Sequence, residues 1–203
     1  MAGNSSYLIM STEKGFTLLE LLVVVGIIAA LSSIVLGGYR TGEDRFALQR
    51  SANKLSQDLR MAENMAMMGN PSPVTFGEIF PSGGYGFYFD IATSTGAAGH
   101  YTFFCDCNDN AEYELSGSSV SCASSTVAVP FPELIETLSL ETGVVISAVY
   151  PNTAFSITFF PPDPIIKITG DDSVSYDEAV ITLNLYGKTK TITINTVGLI
   201  DID

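Results

Sequence analysis

The chain has 203 residues, of which 22 are acidic and 9 basic, for a formal charge of −13. That length holds about one ordinary domain plus an appendage. From Asn64 onward the bases are Lys167, Lys188 and Lys190 against sixteen acids, so this part is expected to repel phosphate backbones and anionic lipid headgroups, which argues against nucleic-acid binding.

The first element is an apolar run of 24 residues, Phe16 to Tyr39. As a helix it measures about 36 Å at ~1.5 Å per residue, enough to cross a hydrocarbon core of ~30 Å. The leader before it, MAGNSSYLIMSTEKG, is polar and nearly neutral, and no A-x-A-like site closes the run, unlike a secretory signal. Lys14 precedes the run and Arg40 and Arg45 follow it, so the loop-charge rule assigns no orientation. One ionisable group, Glu20, sits inside the run. A charge at the centre of a bilayer helix costs roughly 2.5–3.5 kcal/mol, so a residue kept there is expected to have a function.

The stretch KGFTLLELLVVVGIIAALSSI resembles the N-terminal signature of type IV prepilins and type II secretion pseudopilins. The resemblance implies that a prepilin peptidase cuts between Gly15 and Phe16 on the cytoplasmic side and N-methylates Phe16. It places Glu20 at the fifth position of the mature chain, where the family keeps a glutamate. Cleavage leaves an α-amine on Phe16 beside apolar surroundings, an ion that needs a counter-charge. Glu20 of a neighbouring subunit can supply it, and a head-to-tail contact that does not close into a ring generates a helical filament. The alternative is a single-span anchor whose Glu20 snorkels to the interface.

Next, Leu48, Ala52, Leu55, Leu59, Ala62 and Ala66 recur at steps of four and three, an apolar stripe on one helix face. Arg40 with Asp44, Lys54 with Asp58, and Arg60 with Glu63 have the spacing of ion pairs along the helix. The helix is expected to continue to Met68, about 53 residues and ~80 Å, and to end at GNPSP, Gly69 to Pro73. Gly37-Gly38 is its expected weak point. The organisation read from this is a leader at 1–15, a transmembrane and assembly helix at 16–39, an amphipathic continuation at 40–68 and a β-rich domain at 69–203.

The remaining chain reads as strands at 74–80, 85–91, 101–105, 144–150, 155–160, 165–169, 180–186 and 190–196. Gly187-Lys188 suits a two-residue turn between the last two. Strands after one long helix give an α+β fold, with antiparallel sheet packed on the apolar stripe. The element order, FFPPD and the closing ITINTVGLIDID are similar to the pseudopilin H and FimT-like minor pilin subfamily. Some of its members bind DNA through a basic tail, whereas this sequence finishes in Asp201 and Asp203, so DNA binding is not carried across.

Three cysteines lie in one segment, Cys105, Cys107 and Cys122. A bridge from Cys107 or Cys105 to Cys122 closes a loop of fifteen to seventeen residues, worth ~3 kcal/mol in the chain-entropy model, and Cys107 with Cys122 is the favoured pair. Zinc lacks the paired spacing it needs, with His100 the one histidine. Asp106, Asn108, Asn110 and Glu112 are calcium candidates, because oxygen ligands at alternate positions match the start of a calcium loop. Ala111 stands where that loop wants glycine and Gly117 where it wants glutamate, so an acidic solvent-facing loop is the alternative. No Walker, dinucleotide or HExxH pattern is present, and the chain is expected not to be an enzyme. The functional expectation is a structural subunit, a minor pilin or pseudopilin. It would sit in the inner membrane with its domain outside the cytoplasm, with prepilin peptidase, other pilin subunits and the assembly platform as partners. A membrane-tethered binding module is the alternative.

Overall fold

The structure, a computed structural model, describes residues 15–69, 81–91, 99–114, 133–162 and 165–203, with the side chains of 36–41 not included. The chain divides into two compact units, Met1–Gly42 and Glu43–Asp203, and helix α1 (Leu18–Met67) contributes to both. In the first unit α1 holds the apolar window Leu18–Val35, none of it buried. Gly37 and Gly38 are helical.

The second unit packs its part of α1 against two antiparallel sheets. The larger contains β1 (Gly84–Asp90), β2 (His100–Asp106), β3 (Leu134–Ser139), β5 (Ala154–Phe160), β6 (Ile165–Gly170) and β7 (Ser175–Tyr176), in the order β3-β2-β1-β5-β6-β7. The smaller contains β4 (Val145–Tyr150), β8 (Glu178–Leu185), β9 (Lys188–Asn195) and β10 (Ile200–Ile202), in the order β10-β9-β8-β4. The fold is α+β with two sheets rather than one. The edges are β3 and β7 in one sheet and β10 and β4 in the other, and the ladders β2–β3 and β4–β8 each carry a register shift.

The helix stripe reads as its period dictates. Leu48, Ala52, Leu55, Leu59, Ala62 and Ala66 are all buried, and they join Tyr85, Phe87 and Phe89 of β1 and Ile181, Leu183, Ile192 and Ile194 of the small sheet in one core. Period-two alternation sends these strand residues to the same side as the helix. All seven residues of β5 are buried, because the segment 107–114 covers the sheet's other face: Thr158 donates to the Ala111 carbonyl at 3.2 Å and the Tyr113 N–H to Ser156 Oγ at 3.1 Å.

Two expectations are corrected. The β8–β9 turn is Tyr186-Gly187, with φ of 50° and 81°, since Leu185 pairs with Lys188. Positive φ at both central residues is the type I′ hairpin geometry that matches strand twist. Lys54 and Asp58 do not pair along the helix. Lys54 donates to the Ser139 carbonyl at 2.6 Å and Asp58 accepts from the Tyr101 hydroxyl at 2.5 Å, so both side chains strap the helix to β2 and β3. Arg50 ties the helix to the β3–β4 connection through a bidentate contact with Glu141, at 2.6 and 2.8 Å. Strands β3, β7 and β10 are additional to those read from the sequence, while the run at 74–80 and Cys122 lie outside the described residues.

Candidate functional site

Gly15, Phe16 and Thr17 precede α1 in exposed chain outside any helix or strand, and a Cβ placed on Gly15 would meet nothing within 4 Å. Phe16 is 81% exposed. Thr17 is the N-cap of α1: its Oγ1 accepts the Glu20 N–H at 3.2 Å, and its carbonyl accepts the Leu21 N–H at 3.2 Å. Thr17-Leu18-Leu19-Glu20 therefore has the spacing of a capping box, in which the first N–H groups of a helix find side-chain acceptors. Glu20 is the acidic residue of the first turn, at the positive end of the helix dipole. An unhindered glycine junction, a capped helix start and a carboxylate one turn in are thus gathered within six residues at the mouth of the apolar segment.

The other sequence-derived candidates surround the end of β2. Asp106 is fully buried, and its carboxylate accepts the N–H groups of Asn108 at 3.2 Å, Asp109 at 2.8 Å and Ala111 at 2.7 Å. Burial pushes this carboxyl up while those N–H groups pull it back. It lies directly on Gly83, where a Cβ would come within 2.2 Å of Asp106 Cγ. Ala111 takes φ of 66°, the conformation a glycine favours in that position. Asn108 and Asn110 direct their amide N–H groups to Glu114 Oε1, at 2.8 and 2.5 Å, and their Oδ1 atoms accept backbone N–H from Asn110 and Glu112. The loop is thereby knitted by amide donors, with Asp106 held apart under backbone N–H groups. Among the described residues no set of three His, Cys, Asp or Glu side chains converges as metal ligands.

Glu114 also meets Glu133, which is 1% exposed. Glu133 accepts the Cys107 N–H at 3.2 Å and the Glu114 N–H at 3.1 Å, while Glu114 Oε2 is buried and faces no N–H donor. Two carboxylates in such contact repel unless one keeps a proton. That proton belongs on Glu133, whose carboxyl is raised to about 8 by burial and by its hydrogen bond to Glu114. Glu114, which the two asparagine amides and Glu133 stabilise in its charged form against the opposing effect of burial, is correspondingly lowered. Cys107 is disulfide-bonded, and Cys105 is a buried thiol with its Sγ 3.8 Å from that of Cys107.

The family model of the prokaryotic N-terminal methylation motif matches residues 10–36, which contain the Gly15–Phe16 junction, the Thr17 cap and Glu20. The N-terminus is type IV pilin-like. No curated protein and no solved structure matches the chain. The motif implies processing by prepilin peptidase and pilin assembly in general, and its family is structural rather than catalytic. The motif and the apolar helix, long and apolar enough to cross a membrane, together support membrane anchoring.

Two features of the chain are not among the sequence-derived candidates. Thr17 as a cap was available in the T-x-x-E spacing. The Glu114–Glu133 pair had no such signal, because nineteen positions separate its members and the β2–β3 pairing brings them together.

Proposed function

We propose that the protein is a minor subunit of a type IV pilus-like filament or a type II secretion pseudopilus, assembled through its N-terminal helix. The observation that carries this reading is the capped turn Thr17–Glu20 directly after an open Gly15–Phe16 junction, inside the matched motif. Hydrolysis of the Gly15–Phe16 bond would release the leader with the Gly15 carboxylate and leave the amine on Phe16, the group that is methylated. That cation sits at the positive end of a helix dipole, which raises its need for a carboxylate. Glu20 of the next copy meets it, and repetition of this unsymmetrical contact builds a filament. In this reading the domain lies outside the cytoplasm, and Cys107 pairs with Cys122 there.

The first test is the intact mass of the protein from its native membrane. A chain beginning at N-methylated Phe16 is the expected result. A chain retaining Met1 to Gly15 in cells with active prepilin peptidase overturns the reading in favour of a tethered binding module. Glu20→Ala is expected to abolish incorporation into filaments while leaving the protein in the membrane.

A further inference from the structure

The face of the larger sheet that is turned away from the helix carries a row of hydroxyls. Phe87, Phe89, Ile157 and Ile168 enter the core shared with the helix, so Tyr88, Ser156 and Thr169, which alternate with them, take the other face. The register sets these three side by side, Tyr88 against Ser156 and Ser156 against Thr169. The segment 107–114 covers part of this face, and its Tyr113 N–H donates to Ser156 Oγ at 3.1 Å. A cleft of about 180 Å³ remains where Tyr88, Glu112, Tyr113, Ser156, Thr169 and Asp171 meet. Drug-sized ligands need roughly 300–1,000 Å³, so this space suits a group of side-chain size.

Thr169 is the polar group that the fold leaves unused there. It is 4% exposed, it lines the cleft, and its hydroxyl has no hydrogen-bond partner among the described residues. A buried hydroxyl without a partner is costly, and a ligand that supplies one recovers that cost. The rings of Tyr88 and Tyr113, with centroids 5.1 Å apart, form one wall. Glu112 and Asp171 bring two negative charges, and neither is in an ion pair among the described residues. Asp90 adds a third charge behind Tyr88, to which it is hydrogen-bonded. Burial, and then the charges of Asp90 and Asp171, push the Tyr88 hydroxyl up to about 12, so it stays a neutral donor. The bases are held elsewhere. Lys167 rests 4.0 Å over the ring of Phe160, at the far end of β5, Lys188 pairs with Asp44, Lys190 lines a separate cleft with Arg45, and the helix packs on the opposite face of the sheet.

We propose that this cleft binds an organic cation bearing N–H donors, the ammonium or guanidinium end of a side chain or of a small amine. Thr169 Oγ1 accepts one N–H, the Asp171 and Glu112 carboxylates accept others, and the tyrosine rings cover the cation and its apolar stem. Anions are repelled by the two acids. Among the described residues no third His, Cys, Asp or Glu joins them, so the donor set does not suit a metal ion. The assignment stands on the second unit alone and is independent of assembly.

Isotope-labelled full-length protein in nonionic micelles is titrated with butylguanidinium or butylammonium chloride, against sodium chloride of equal ionic strength, and amide shifts are followed. Saturable shifts at Tyr113, Thr169 and Asp171 are expected with both organic cations, and much weaker ones with tetramethylammonium, which has the charge but no N–H. Thr169→Val removes the hydroxyl at nearly constant shape and should weaken binding about tenfold. Asp171→Asn, at an exposed position, should weaken it as well, with an unchanged Tm showing that the fold is kept. Tighter binding of capped arginine than of butylguanidinium assigns the natural source to a protein side chain, and the reverse order assigns it to a free amine; both support the cleft as a cation site. Shifts no larger than those from sodium chloride, equal binding of tetramethylammonium, unchanged affinity in either variant, or saturation by a neutral methyl glucoside in place of the cation overturns the proposal.

Discussion

Glu133→Gln isolates the buried proton. Folded Glu133 holds its proton up to about 8, whereas the unfolded carboxyl releases it near its ordinary value of 4.5. Between those values the unfolded chain binds one proton fewer than the folded chain, so the contribution of Glu133 to stability is complete below the unfolded value. It is lost as pH rises toward the folded one. One proton corresponds to a slope of about 1.4 kcal/mol per pH unit. Glu114, Glu141 and Asp172 are lowered in the fold, so their contributions are present above the ordinary carboxyl range and fall away only in acid. Asp106 is also raised, so its contribution is likewise lost as pH rises, but it is common to wild type and variant, and the difference between their slopes isolates Glu133. Glutamine can donate to the Glu114 carboxylate as the protonated acid does, but its amide nitrogen cannot also accept one of the two N–H groups that Glu133 holds. A loss of about 1 kcal/mol that does not vary with pH is expected for that. Urea unfolding of the full chain in nonionic micelles, from about pH 5.5 to about pH 7.5, should give a stability that falls more steeply with pH for the wild type than for the variant. Parallel slopes in the two proteins would refute the shared proton.

Leu59→Ala empties a fully buried position between helix and sheets and should cost about 2–5 kcal/mol in urea unfolding; a loss below about 1 kcal/mol would mean that the stripe is not packed as described. Gly83→Ala puts a methyl group onto the Asp106 carboxylate, so Tm should fall and the Ala111 amide should exchange faster, and an unchanged Tm would contradict the close approach. Thr17→Ala should cost about 0.5–2 kcal/mol of local helix stability, read as faster amide exchange at Glu20 in micelles, while Thr17→Ser retains protection; equal exchange in both variants would remove the cap.

Much of the fold is written in short-range periodicity. Leu48 to Ala66 declares a helix face because its spacing admits one buried stripe, and Ile181, Leu183 and Leu185 declare a strand by alternation. Strand β3, LIETLS, alternates weakly and owes its place to pairing with β2, so its own residues say little. Strands β7 and β10, of two and three residues, are too short for any period to show. The hairpin turn lies one position before the Gly187-Lys188 pair that glycine suggests, and only the register reveals that Tyr186 shares the positive φ. At the N-terminus the functional residues are neighbours in the chain, so Gly15, Phe16 and Glu20 were legible as a motif. In the domain the relevant groups are brought together by the ladders, so Glu114 and Glu133 are neighbours only in the fold.

The four outer strands have a consequence for how copies of this domain tolerate crowding. Strand β7 has two residues and β10 three, while the ladders that hold β3 and β4 are broken by register shifts, and β4 is followed by Pro151. Short, bulged or proline-bounded margins are poor templates for a strand from another molecule. Domains held side by side at high local density therefore stay separate bodies instead of zipping into a continuous sheet. A fibre built from this chain would diffract as an array of helices and would lack the meridional spacing of about 4.7 Å that marks cross-β stacking.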